Sequence, residues 1–89
     1  MRERALSIQQ QLICCFMSTY TQTHGFPPTM REIAAWVGYR GMRSLQRALA
    51  LLQEQGYLHH HPQSRRSLLL TDQGLAVAAR WQFIVLEAA

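Results

Sequence analysis

Gly25-Phe26-Pro27-Pro28-Thr29-Met30-Arg31-Glu32-Ile33-Ala34-Ala35-Trp36-Val37-Gly38-Tyr39-Arg40-Gly41 is the stretch on which the fold turns. Gly25 and the Pro27-Pro28 pair end one helix and make an extended link, because proline and the residue before it both disfavour helix. Thr29-Met30-Arg31-Glu32 has the form of a capping box: Thr29 caps the next helix and Glu32, three residues on, reaches back. The periodicity carries that helix to about Val37, with Ile33, Ala34 and Val37 on its inner side. Gly38 suits the position just past a helix end. Gly38-Tyr39-Arg40-Gly41 then turns into a further helix over about residues 42–55, closed by Gly56. Two short helices joined by a glycine-containing turn predict a helix-turn-helix, whose second helix is built for a major groove.

Upstream, Ser7 is an N-cap, and Ile8, Leu12, Ile13, Phe16, Met17 and Tyr20 recur at helical spacing. They predict a first helix over about residues 7–22. Downstream, Tyr57-Leu58-His59-His60 and Ser67-Leu68-Leu69-Leu70 flank the polar His61-Pro62-Gln63-Ser64-Arg65-Arg66, which reads as a two-stranded hairpin. Thr71-Asp72-Gln73-Gly74 opens a last helix over about residues 72–87. The order is α-α-α-β-β-α: a mainly α, winged helix-turn-helix fold with the hairpin as wing. The 89 residues are enough for one domain and not two.

The charge is placed where that fold can use it. The net charge is +4, and all nine basic residues are arginine. Six of them lie between Arg31 and Arg66, against only Glu32 and Glu54. With Leu45 at 0° on the third helix, Leu49 falls at about 40° and Leu52 at about 340°, so these three face the core. Arg43 and Arg47 fall opposite, at about 160° and 200°, flanked by Gln46 and Ser44 at about 100° and 260°. Arginine can take guanine O6 and N7 together, and glutamine can take adenine N6 and N7. Arg40 lies in the turn, Thr29 and Arg31 sit at a helix start where backbone N–H groups favour phosphate, and Ser64, Arg65 and Arg66 occupy the wing. Each element alone also fits an ordinary solvated surface. Their coincidence on three elements favours double-stranded DNA. A basic balance would equally suit an anionic membrane surface, so the placement of the charge matters more than its sum. No apolar run reaches the roughly 18 residues of a span. With no apolar signal core at the N-terminus, the chain is expected to be cytoplasmic and nucleoid-associated.

Gln9-Gln10-Gln11, Gly25-Phe26-Pro27-Pro28-Thr29, Arg31-Glu32-Ile33-Ala34, Val37-Gly38-Tyr39-Arg40, Leu49, Leu52 and Gly56-Tyr57-Leu58 closely resemble the DNA-binding domain of LexA repressors. The resemblance covers about residues 7–70. It implies a winged helix whose third helix reads operator DNA, with Arg43, Ser44, Gln46 and Arg47 where that family contacts bases and Ser64 and Arg65 on its wing. Three departures matter. Arg43, Gln46 and Arg47 are not the family's usual residues, which implies a different operator. Leu70-Thr71-Asp72-Gln73-Gly74 is more similar to MarR-type winged helices, where it starts another helix. The self-cleaving Ser/Lys domain is not in these 89 residues, so self-cleavage is not carried over.

The last helix is apolar nearly all round. With Leu75 at 0°, Ala79, Phe83 and Leu86 lie between about 0° and 80°, and Val77, Trp81 and Ile84 between about 180° and 240°. A helix at the edge of a small domain buries one face, so the second is open to a partner. The expectation is a homodimer through Val77, Trp81, Ile84 and Val85, with packing of both faces inside one chain as the alternative, and a second protein as a further possible occupant. Trp36 either covers the base of the third helix or sits at an interface.

Other features point to little chemistry. His59 and His61 share a strand face while His60 points away, short of the three or four ligands zinc requires. No metal and no cofactor are expected. Adjacent Cys14 and Cys15 cannot form an unstrained disulfide; they read as core or near-core residues of the first helix, with a redox-sensing thiol as the alternative. The five acidic residues are scattered and no catalytic set can be assembled, so no enzyme is expected. Two functions remain: a sequence-specific DNA-binding transcriptional regulator, a repressor because nothing resembles an activation surface, or a winged-helix module that docks on another regulator or enzyme.

Overall fold

The computed structural model describes residues 6–38, 41–60 and 68–88, with side chains described as far as Trp81. The elements are α1 (Ile8–His24), α2 (Met30–Val37), α3 (Met42–Glu54), β1 (Leu58–His60), β2 (Leu68–Leu70) and α4 (Asp72–Ala88). The two strands are antiparallel, with Leu58 opposite Leu70, His59 opposite Leu69 and His60 opposite Leu68. This is the winged helix-turn-helix architecture expected from the sequence.

The helix starts are fixed by local chemistry. Ser7 Oγ accepts from the Gln10 backbone N–H at 3.1 Å, and Gln10 Oε1 accepts from the Ser7 N–H at 3.0 Å. Thr29 and Glu32 make the same reciprocal pair at 3.2 and 2.7 Å. Glu32 does more, because its second oxygen accepts from the Tyr20 hydroxyl at 2.7 Å and ties α2 to α1. α1 runs two residues past its expected end. It stops at Gly25, whose left-handed backbone (φ 82°) lets its N–H reach the Thr21 carbonyl at 2.8 Å. His24 stacks on Tyr20 with ring centroids 4.0 Å apart, which holds this final turn.

α1 is the centre of the domain. One side meets α2 and α3, and the other packs most extensively on α4. Ile13, Cys14 and Met17 from α1 join Ile33 from α2, Leu45, Leu49 and Leu52 from α3, Leu58 and Leu68 from the hairpin and Ala78 from α4 in one core. Each such large side chain contributes about 1.5–3 kcal/mol by leaving water. Ile8 was expected on the inner stripe but is 66% exposed, since it stands at the first position of α1, ahead of the elements that cover the rest. Trp36 stacks on Phe16 of α1, with ring centroids 4.9 Å apart, and stays half exposed.

The junction between wing and α4 explains Leu70-Thr71-Asp72-Gln73-Gly74. The Thr71 hydroxyl donates to the Gly56 carbonyl at 2.5 Å and accepts from the Gly74 N–H at 3.2 Å. The Thr71 N–H donates to the Tyr57 carbonyl at 3.1 Å. One threonine thus starts α4 and fastens it to the end of α3 and the base of the hairpin. Gly74 is required there because a β-carbon would collide with the Tyr57 carbonyl and the Leu70 side chain.

α4 engages part of the expected partner face within the chain. Val77 packs against the domain's own core. Trp81 is half-buried and its indole N–H donates to Gln11 Oε1 of α1 at 2.8 Å. Two residues of the face expected to meet a second copy are thus engaged within the chain, while Leu75 remains 46% exposed. The Ile84 and Val85 side chains lie outside the described residues.

Candidate nucleic-acid interface

α3 is seated by Leu45, Leu49 and Leu52, all at most 3% exposed. This fixes its rotation, and the four predicted readers Arg43, Ser44, Gln46 and Arg47 all lie on the exposed side. Arg47 and Ser44 also border a shallow groove of about 330 Å³ whose other wall includes Ser7 and Gln10, the capping pair at the start of α1. α3 and the start of α1 thus share one surface.

The N-terminus of α3 was not picked out by the sequence. Its N-cap is Gly41, extended at φ −146° and ψ 152°, and no side chain caps it. The first-turn N–H groups and the positive end of the helix dipole meet no capping side chain, and Met42, Arg43 and Ser44 around them are exposed. The signal was present as an absence, since no Ser, Thr, Asp or Asn precedes Met42.

The start of α2 contributes less than expected. Thr29 is half-buried, and its hydroxyl oxygen and N–H are both engaged in the capping box. The Glu32 carboxylate already occupies the place where an anion would sit, so a phosphate would have to compete with it. Arg31 is exposed and remains. Arg40 in the turn and Ser64, Arg65 and Arg66 of the wing lie outside the described residues, as does His61.

His59 and His60 are exposed on β1. Among the described residues no three His, Cys, Asp or Glu side chains converge as metal ligands. Burial, reinforced by the neighbouring Cys15, pushes the Cys14 thiol up to about 12. Burial also raises Cys15. Both thiols are buried and held protonated, the opposite of what a reactive sensor requires. No helix among the described residues is long and apolar enough to cross a membrane.

A helix-turn-helix seated on a three-sided core, with a hairpin beside it and arginines on the outer face of its second helix, defines a winged helix-turn-helix domain. The chain belongs to the LexA DNA-binding domain family, whose model matches residues 3–67. It is similar to the LexA repressor of Geotalea uraniireducens, 34% identical over 74 residues that make up 83% of this chain and 35% of the relative. The LexA repressor of Carboxydothermus hydrogenoformans is 36% identical over 73 residues, 82% of this chain and 36% of that protein. The chain spans about a third of the length of the curated relatives it matches. Among solved structures, a point mutant of S. aureus MepR shares the fold, with a TM-score of 0.67 at 17% identity over 92% of this chain and 60% of that one.

Proposed function

We propose that this domain binds double-stranded DNA sequence-specifically and acts as a transcriptional repressor, with α3 in the major groove. The observation that carries the reading is the outer face of α3. Arg43, Ser44, Gln46 and Arg47 are all exposed, opposite three leucines that leave the helix no other rotation. The bare start of α3 adds N–H groups for a backbone phosphate, and Arg31 adds a charge from α2. The wing, with Ser64, Arg65 and Arg66, is assigned to the backbone or minor groove on sequence alone. The relatives that carry this family's domain are named as repressors, and a protein occupying DNA works in the cytoplasm on the nucleoid.

Selection of bound duplexes from a random pool, followed by salt titration of the winner, tests this. A recurring sequence and a log–log salt slope of about −0.9 for each phosphate neutralised are expected. Failure to hold any duplex at low salt sinks the reading. Binding as a dimer belongs to the same proposal, because two half-sites about one helical turn apart double the contacts of a small module. Its contact is assigned to α4 on sequence alone. Sedimentation equilibrium on DNA decides, and a clean 1:1 complex of a 10.3 kDa chain with its selected duplex rejects the dimer. A second reading, docking on another regulator or enzyme, draws on the exposed aromatic strip of Trp36 and Phe26.

A further inference from the structure

A cleft of about 340 Å³ opens between α1, β2 and the first turns of α4. Met17 and Ser18 of α1 form its buried floor, at 1% and 5% exposure, and Leu69 and Leu75 stand half exposed at its edges. Thr21, Gln22 and Leu70 complete the lining. We infer that this cleft is a binding site for a compact, neutral, largely apolar small molecule that carries one hydrogen-bond acceptor.

The size fits, since small-molecule sites begin at about 300 Å³ and a helix would need a far longer groove. The chemistry follows from the lining. None of its residues is charged, so a charged ligand would lose hydration with nothing to replace it. The apolar share comes from Met17, Leu69, Leu70 and Leu75, two of which now hold leucine side chains in water. The acceptor is called for by Ser18. Its buried oxygen accepts from Gln22 Nε2 at 3.3 Å, yet its own O–H donates to no oxygen among the described residues. Thr21, close by on the same helix, has already given its hydroxyl proton to the Met17 carbonyl at 2.8 Å. Ser18 is thus a buried donor on the cleft floor that a ligand oxygen would satisfy.

The position gives the site a consequence. Leu69 and Leu70 belong to the wing strand β2, and Leu70 precedes Thr71, which is fastened to Gly56 at the end of α3. Filling the cleft loads the strand and the latch that join wing to reading helix. This coupling rests on the proposed DNA reading; the binding site itself does not.

The test is methyl NMR of the protein labelled at methionine and leucine, titrated with two probes. One is 1-tetralone, a bicyclic aromatic ketone; the other is tetralin, the same ring system without the oxygen. Saturable shifts at Met17, Leu69, Leu70 and Leu75 are expected with both, with tetralone about 3- to 10-fold tighter for its one hydrogen bond. Ser18→Ala, a substitution favourable to helix, should bring tetralone down to the affinity of tetralin and leave tetralin unchanged. Leu75→Gln, at an exposed position that tolerates polarity, should weaken both. Shifts that miss these methyls, or equal tetralone binding in the Ser18→Ala protein, overturn the site. Shifts of the same methyls on raising protein concentration alone would also overturn it, by showing a second copy in the cleft. The titration uses no DNA, so it fails or succeeds separately from the proposed function; the coupling is read afterwards from the change in duplex affinity with tetralone present.

Discussion

α4 and α3 begin in opposite ways. The start of α4 is closed on its own chain: Thr71 caps it, the same hydroxyl reaches Gly56, and Gly74 lets the Tyr57 carbonyl approach. The start of α3 has Gly41, no capping side chain, and exposed Met42, Arg43 and Ser44. Both are helix N-termini with the same orphan N–H groups and the same dipole. The difference separates helix starts whose N–H groups are met by side chains of the chain itself from one that no side chain caps. α2, closed by Thr29 and Glu32, sides with α4.

The comparison can be broken at the closed end first. Gly74→Ala places a methyl against the Tyr57 carbonyl and should cost about 3 kcal/mol, read by urea denaturation, as overpacking against backbone that cannot move aside. At the open end, Arg47→Ala should leave stability unchanged and cost about 1–3 kcal/mol of binding to the selected duplex, with relaxed base preference. Intact preference in competition assays would remove Arg47 from the reading face. Thr29→Ala should lower stability by about 1 kcal/mol through loss of the cap. It should change DNA affinity no further than that, since Thr29 is engaged within the chain.

The sharpest variant has the smallest effect on stability. Gly41→Asp supplies α3 with the cap it lacks, in extended backbone that any residue adopts and with nothing within 4 Å of the new β-carbon. Thermal unfolding should show a gain of a few tenths of a kcal/mol. Duplex binding should fall several-fold, because the carboxylate takes the N–H groups and the space of a phosphate. A gain in both would mean that DNA does not use this helix end.

Much of this was legible in the sequence because it is local. The Thr29–Glu32 box, Gly38 past α2 and the Leu45, Leu49, Leu52 seat of α3 each depend on spacings of three or four residues. The end of α1 falls two residues later than spacing suggests, since Gly25 marks a cap but the stacking of His24 on Tyr20 is a contact that spacing does not announce. α4 misleads for a deeper reason. Its pattern contains two apolar faces, and periodicity is symmetric between them. Which face meets α1 is a tertiary fact, and the clue lay in size: Gly74 and Ala78, one turn apart, mark the side of close approach. Thr29 invites over-reading because a capping box and a phosphate site draw on the same N–H groups, and the box legible in the sequence already claims two of them.

The bond from Trp81 to Gln11 spans 70 residues of chain. The turn from α2 to α3 spans only a few. Closing the longer loop loses far more chain entropy before any contact offsets it. The longer closure predicts that the helix-turn-helix assembles before the α1–α4 seam, an order that pulsed hydrogen exchange of the two would check. Cys14 is buried in the core to which Ala78 of α4 also belongs, so the rate at which it reacts with a thiol reagent is a clock for the opening of that core.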